Sequence, residues 1–346
     1  MNEMFTFSVT PYRGYEDEAR TLLNRNRESI ATRVYLDWRY LGEESSREPV
    51  IVWIHSNDGT RLGMNSLIFR FYWVNNRKCT FAVSGDMSID SEFRGRGLGK
   101  MLVRHMTSYI EQRGHDCGFG MPTSIAQKCF SSQAWKIEEQ LIPHAFLLDV
   151  RFRLHQHGMR NAFLVKLLVK LAWWYAAARL IVVSTRGFSC AEVEEFDASF
   201  DTLWNRVMKE GFVLRDRSAR TLRWRYFDHP DEKFRICKIM EKNDFVGYAV
   251  YSISGEGAVC VVYDFIVVEE RQVKPAMALL IRDLNRGKSA DSIRVILNEN
   301  HPYSRLLESM GFLKRKAEGV FLAYAPRGFQ LTKSMHWFIT LGDKDV

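Results

Sequence analysis

A five-residue phrase occurs twice in this chain. Leu36-Asp37-Trp38-Arg39-Tyr40 returns as Leu222-Arg223-Trp224-Arg225-Tyr226, 186 positions further on. Each copy is followed by a proline (Pro49, Pro230), an apolar strand-like run and a glycine (Gly63, Gly247). A strand carrying an acid comes next, with Asp86 in the first half and Asp264 in the second. Helix-period segments then run over 99–112 and 275–285. Each half continues with a short strand and a helical turn, ending in a small-aromatic pair, Ala134-Trp135 or Gly311-Phe312. Repetition in this order predicts a duplicated α+β unit, each copy a central mixed sheet flanked by helices. The expected domains are 1–150 and 187–346, joined by 151–186.

The 346 residues suffice for two cores. A net charge of +8 favours an anionic partner, such as a phosphorylated cofactor or an anionic membrane. No Lys/Arg block resembles a nucleic-acid arm, so no nucleic-acid partner is expected. The six cysteines lie far apart without a C-x-x-C pair, and His155-Gln156-His157 lacks completing ligands. Neither a metal site nor a disulfide is expected, and a reducing cytoplasm fits. The N-terminus does not read as a secretory signal.

The joining segment has another character. Residues 161–183 are apolar except for Lys166, Lys170 and Arg179. The two lysines share one helix face, and Trp173, Trp174 and Tyr175 sit where an interfacial helix wants amphipathic rings. The stretch reads either as a linker helix packed across both domains or as a weak peripheral membrane contact.

The chemistry concentrates after the strand that holds Asp86. Arg94-Gly95-Arg96-Gly97-Leu98-Gly99-Lys100 lies between that strand and a helix, where free backbone N–H groups can bind an anion. A dinucleotide fingerprint fails, because Lys100 stands three residues after Gly97. A Walker A loop fails as well, because Met101 follows Lys100. What remains is Arg-x-x-Gly-x-Gly after an acid-bearing strand.

This pattern resembles the coenzyme A loop of the GNAT acyltransferase superfamily, with Arg94, Gly97 and Gly99 at its defining positions. The Trp-Arg-Tyr copies, Gly118-Phe119-Gly120-Met121-Pro122 and the ending that begins Trp337-Phe338-Ile339 extend the likeness. They are similar to bacterial tandem-GNAT proteins associated with exopolysaccharide or cell-surface glycan biosynthesis.

The resemblance implies two tandem GNAT-like domains and N-acyl transfer from acetyl-CoA, or another acyl-CoA, to a primary amine on a small polar acceptor such as an amino sugar. It places the donor on Met87, Ser88, Ile89, Arg94, Gly95, Arg96, Gly97, Leu98, Gly99 and Lys100. Asp86 is the candidate base or water-holder, since the ammonium proton must leave. Trp38, Arg39, Tyr40, Trp224 and Arg225 are the candidate acceptor groove, between the halves. Phe130 stands where many relatives carry a tyrosine that protonates the leaving thiolate, and it cannot donate a proton. In the second half Val273, Pro275 and Met277 fall opposite the glycines, which implies that coenzyme A binding is lost there. Two other readings stay open: a non-catalytic coenzyme A-binding scaffold, and an aminoacyl-tRNA-dependent peptidyltransferase, against which the intact loop argues.

Overall fold

The computed structural model describes residues 5–42, 47–151, 154, 158–159, 161–208, 211–254, 258–287, 289–329, 331 and 335–344. His155-Gln156-His157 and the side chain of Trp173 lie outside them.

The first half runs β1 (Thr6–Pro11), α1 (Glu16–Asn24), α2 (Arg33–Leu41), β2 (Val50–His55), β3 (Arg61–Val74), β4 (Arg77–Ile89), α3 (Leu98–Gln112), β5 (Cys117–Gly120), α4 (Ser124–Phe130) and β6 (Lys136–Leu147). Helix α5 (Ala162–Ile181) follows. The second half runs β7 (Phe188–Val193), α6 (Ala198–Val207), β8 (Phe212–Arg215), α7 (Ala219–Leu222), β9 (Arg235–Glu241), β10 (Asp244–Ser254), β11 (Val259–Val267), α8 (Val273–Gly287), β12 (Ser292–Asn298), α9 (Ser304–Ser309), β13 (Leu313–Lys314), β14 (Gly319–Tyr324) and β15 (His336–Phe338). The order strand, strand, strand, helix, strand, helix recurs from β2 to α4 and from β9 to α9.

The halves do not keep separate sheets, which corrects one expectation. One mixed sheet runs β1-β2-β3-β4-β5-β14-β6-β12-β11-β10-β9-β7. Strand β14, from the second half, lies between β5 and β6. The last part of β6, from the first half, pairs with β12 from Leu141↔Asn298 to Leu147↔Ser292. Left alone, β5 and β12 would each present an edge of unpaired backbone groups. The exchange closes both. Strand β6 serves both neighbours on opposite edges: its first residues take β14 on one side and its last take β12 on the other, with Leu141 paired to both.

Strand β2 reads Val-Ile-Val-Trp-Ile without alternation because both faces of the sheet are covered. On one face Val52, Leu67 and Phe69 pack with Leu102 and Met106 of α3 and with Phe130. On the other, Ile51, Trp53 and Ile68 pack with Leu23 of α1 and with Leu36 and Tyr40 of α2. Helix α3 forms because Leu98, Leu102, Met106 and Ile110 recur every fourth residue and are all buried. Each such side chain contributes about 1.5–3 kcal/mol by leaving water.

The cysteine expectation fails at one pair. Cys190 on β7 and Cys237 on β9 form a disulfide, with Cα atoms 6.0 Å apart. Sequence spacing hid it, because antiparallel pairing of β7 with β9 brings together residues 47 apart. Among the described residues no cluster of three His, Cys, Asp or Glu is placed to hold a metal.

Candidate active site

Strand β4 is bulged where the candidate residues begin. Its pairing with β3 jumps from Gly85↔Ser66 to Ser88↔Met64, so Asp86 and Met87 face Asn65 alone. Asp86 adopts φ +52°, a left-handed backbone unusual outside glycine. On its other edge β4 pairs with β5 only as far as Ser84↔Gly120. Residues 85–89 therefore run past the end of β5. An extended chain carrying amides can add to such an edge as a further strand.

The loop begins where β4 ends. After a single 3-10 turn (Ser91–Phe93), residues 94–97 lead into α3. Gly95 and Gly97 take φ +79° and +81°, and Gly97 is the N-terminal residue before α3, with no side chain capping the helix. The first N–H groups of α3 thus remain for an anion, beside the positive end of the helix dipole. Gly99 is required for another reason: a Cβ there would stand 2.7 Å from Cys129 Sγ and 2.9 Å from Met87 Cε. It lets α3 lie close against β4 and α4. Arg94 donates to the Ile89 carbonyl at 2.9 Å and to Asn26 Oδ1 at 3.1 Å, which closes the loop onto the strand. Arg96 lies over the Phe93 ring, while Lys100 points to solvent. Met87 and Ile89 are half-buried, Ser88, Leu98 and Gly99 are buried, and Arg94 to Gly97 with Lys100 are exposed. The expected donor-binding residues thus follow one another from bulge to helix, but only part of them reaches the surface.

Asp86 does not fit the role of base. Its carboxylate is buried and accepts from Arg27, and Arg39 lies 3.5 Å away. Tyr40 donates its hydroxyl to the other oxygen at 2.9 Å. Burial alone would raise this acid, but the charges of Arg39 and Arg27, with the bonds from Arg27 and Tyr40, hold it below the ordinary carboxylate range. A stabilised carboxylate is a weak proton acceptor. Asp86 instead fastens the segment between α1 and α2 over the bulge. Asp90 helps, accepting from Arg25 Nε at 2.6 Å and Asn26 Nδ2 at 2.7 Å. Sequence reasoning passed over Arg25-Asn26-Arg27; two cations and an amide just after α1 were the available signal.

The expected acceptor groove is also corrected. Trp38 and Trp224 stack with ring centroids 5.2 Å apart and are 8% and 4% exposed. Tyr40 is buried against Tyr12, and Arg39 is committed to Asp86. Arg225 is buried 3.8 Å from Asp343. Trp38 and Arg225 line a cavity with Tyr226 and His229, no larger than a water molecule. These residues form the seam between the halves, and no ring face is free to stack on a sugar. Phe130 is equally remote from solvent, edge-on to Trp135 at 5.0 Å.

The second half differs at both places that matter. Helix α8 starts at Val273, directly after the 3-10 turn Glu270–Gln272, so nothing corresponds to residues 94–97. The gap beyond the β11–β12 pairing, which ends at Val262↔Val295, is filled by the chain's last residues. Asn298 donates its N–H to the Ile339 carbonyl at 3.2 Å, and Ile339 donates back to Asn298 Oδ1 at 3.0 Å. Asp264, the counterpart of Asp86, accepts from Arg217 at 3.0 Å and from Tyr248 at 2.9 Å. Arg217 also donates to Asp343 at 3.0 Å, which ties the segment after β15 to β11 through Asp264.

Residues 13–129 match the sequence model of the acetyltransferase (GNAT) family. No curated protein matches the sequence. Among solved structures, a GCN5-related N-acetyltransferase from Anabaena variabilis is similar at 12% identity, covering 92% of this chain and 73% of that one, with a TM-score of 0.66. A conserved protein of unknown function from Enterococcus faecalis, described as a probable N-acyltransferase, is similar at 10% identity over 93% and 73%, with a TM-score of 0.67. Eis1 from Mycobacterium abscessus is similar at 12% identity over 93% and 73%, with a TM-score of 0.58. At these identities the likenesses speak for the fold. The family match covers residues 13–129, and the solved structures share the fold over most of the chain.

Proposed function

We propose that this chain transfers an acyl group, acetyl first among them, from coenzyme A to a primary amine on a small polar acceptor of amino-sugar type. The observation that carries the proposal is the uncapped start of α3 behind left-handed Gly95 and Gly97, next to the free edge of the bulged β4. The donor pyrophosphate would lie on the first N–H groups of α3. Its amide-bearing arm would add to residues 85–89, which brings the thioester to the bulge, where backbone N–H groups stabilise the developing oxyanion. The amine would approach from the face that carries α1 and α2, beside the Arg27–Asp86 pair. Asp86 acts by holding that wall in place, and the reaction gains mainly from proximity.

On this reading the chain is a tandem arrangement. Residues 1–150 bind the donor, 151–186 join, and 187–346 have a donor site that is missing its loop and filled by its own C-terminal segment. Acyl-CoA supply favours a cytoplasmic reaction, and the resemblance to tandem-GNAT proteins supports a role in surface-glycan synthesis. A thiol-release assay with acetyl-CoA and pooled amino sugars tests the proposal. Release that needs both donor and an amino sugar supports it. Release with hydroxyl acceptors alone would overturn the amine assignment, and absence of acceptor-dependent release would favour the scaffold reading.

A further inference from the structure

Helix α5 is apolar on the side that faces away from the protein. Phe163, Leu167, Leu171, Trp174 and Ile181 follow one another at steps of four, four, three and seven residues, which lines them along a single face. All five are exposed, Phe163 at 73% and Ile181 at 81%. The opposite face holds the helix down, with Val165 buried and Leu180 packed near Ile281 and Arg282 of α8. A soluble surface helix would reverse this arrangement, turning its apolar stripe inward. Exposed apolar area concentrated on one helix marks a docking surface.

Charge decides what docks. No Asp or Glu occurs between Asp149 and Glu192, a stretch that holds Lys166, Lys170, Arg179 and four further arginines. Lys166 and Lys170 are exposed on one edge of the stripe and have no ion-pair partner among the described residues. The fold adds more positive charge from a distant part of the sequence. Gly311 lies against Tyr175 and Arg179 of α5, and three residues later Lys314-Arg315-Lys316 is exposed. A second copy of this face would bring cation against cation. An anionic surface with an apolar interior answers both features, and the long lysine stems let their ammonium groups reach headgroups while the rings enter deeper. No described helix is long and apolar enough to cross a membrane.

We infer that α5 lies on an anionic phospholipid bilayer, with its Phe163–Ile181 stripe among the acyl chains and Lys166, Lys170 and the Lys314–Lys316 run at the phosphates. This surface is separate from the coenzyme A loop and does not depend on the proposed acyl transfer. Flotation of the full chain with phosphatidylcholine vesicles, with and without phosphatidylglycerol, tests it. Binding is expected only to the anionic vesicles, weakening as salt rises. Lys166→Glu with Lys170→Glu should lower affinity about 25-fold or more, and Phe163→Ser with Leu167→Ser should abolish capture. In the unaltered chain, brominated phospholipid in the anionic vesicles should quench tryptophan emission, a readout that needs no variant to fold. Absence of binding and quenching would overturn the inference. So would equal, salt-insensitive binding to neutral vesicles, or a concentration-dependent dimer that Leu171→Asp dissociates.

Discussion

The indole N–H of Trp38 donates to the carbonyl of Trp224 at 2.8 Å, and the indole N–H of Trp224 donates to the carbonyl of Trp38 at 2.8 Å. The two copies of the repeat thus bond to each other reciprocally, ring stacked on ring. Trp→Ala at either position should cost about 3–5 kcal/mol, because it leaves a cavity and an unpaired buried carbonyl acceptor. With β6 and β14 exchanged, the halves should unfold together. Denaturant melts of Trp38→Ala followed by fluorescence and circular dichroism should coincide at a lower midpoint. Two separated transitions would show that the seam does not couple the halves.

Asp86→Asn separates an anchoring role from a basic one. Removing one member of a buried ion pair should destabilise the fold by roughly 3 kcal/mol. The sign follows from the lowered acid: its stabilisation is present at neutral pH and is lost as pH falls below the ordinary carboxylate value toward the depressed one. In steady-state kinetics the variant should lose acceptor affinity while its pH–rate profile keeps the shape of the parent's. A rate that falls steeply at neutral pH and recovers as pH rises would restore Asp86 as the base.

His115 gives the protein an acid-side weakness. It is 3% exposed, stacked on Phe69 at 4.4 Å, and burial with the nearby Arg47 charge lowers its pKa to about 4. The unfolded chain takes up this proton near pH 6.5, so stability should decline as pH falls from 6.5 toward 4 and level off below. His115→Gln should flatten that part of a stability–pH curve. An unchanged slope would assign the effect to other groups, with buried His301 first among them.

Much of this was legible in the sequence, for identifiable reasons. The glycine spacing at 95 and 97 reports backbone angles that few other residues reach, and an acid-bearing strand before a helix locates the turn. The repeat predicted the order of elements because hydrophobic period and chain order survive duplication. Strand exchange was not legible, since nothing in β6 or β14 names its neighbour. Asp86 was misread because its partner Arg27 lies 59 residues away, and burial of both is a property of the fold. The tryptophans looked like a sugar platform for a similar reason: one copy viewed alone does not reveal that the other covers it. A fixed displacement set Val273, Pro275 and Met277 opposite the glycines, whereas α8 simply begins at Val273 with no loop before it.

Calorimetric titration of the full chain with acetyl-CoA tests the central claim most directly. One donor site per chain is expected, and Gly97→Val should abolish it while leaving the melting temperature within a few degrees, since a Cβ at Gly97 meets nothing within 4 Å but φ +81° is strained for valine. Two sites per chain, or unchanged affinity in Gly97→Val, would contradict the account.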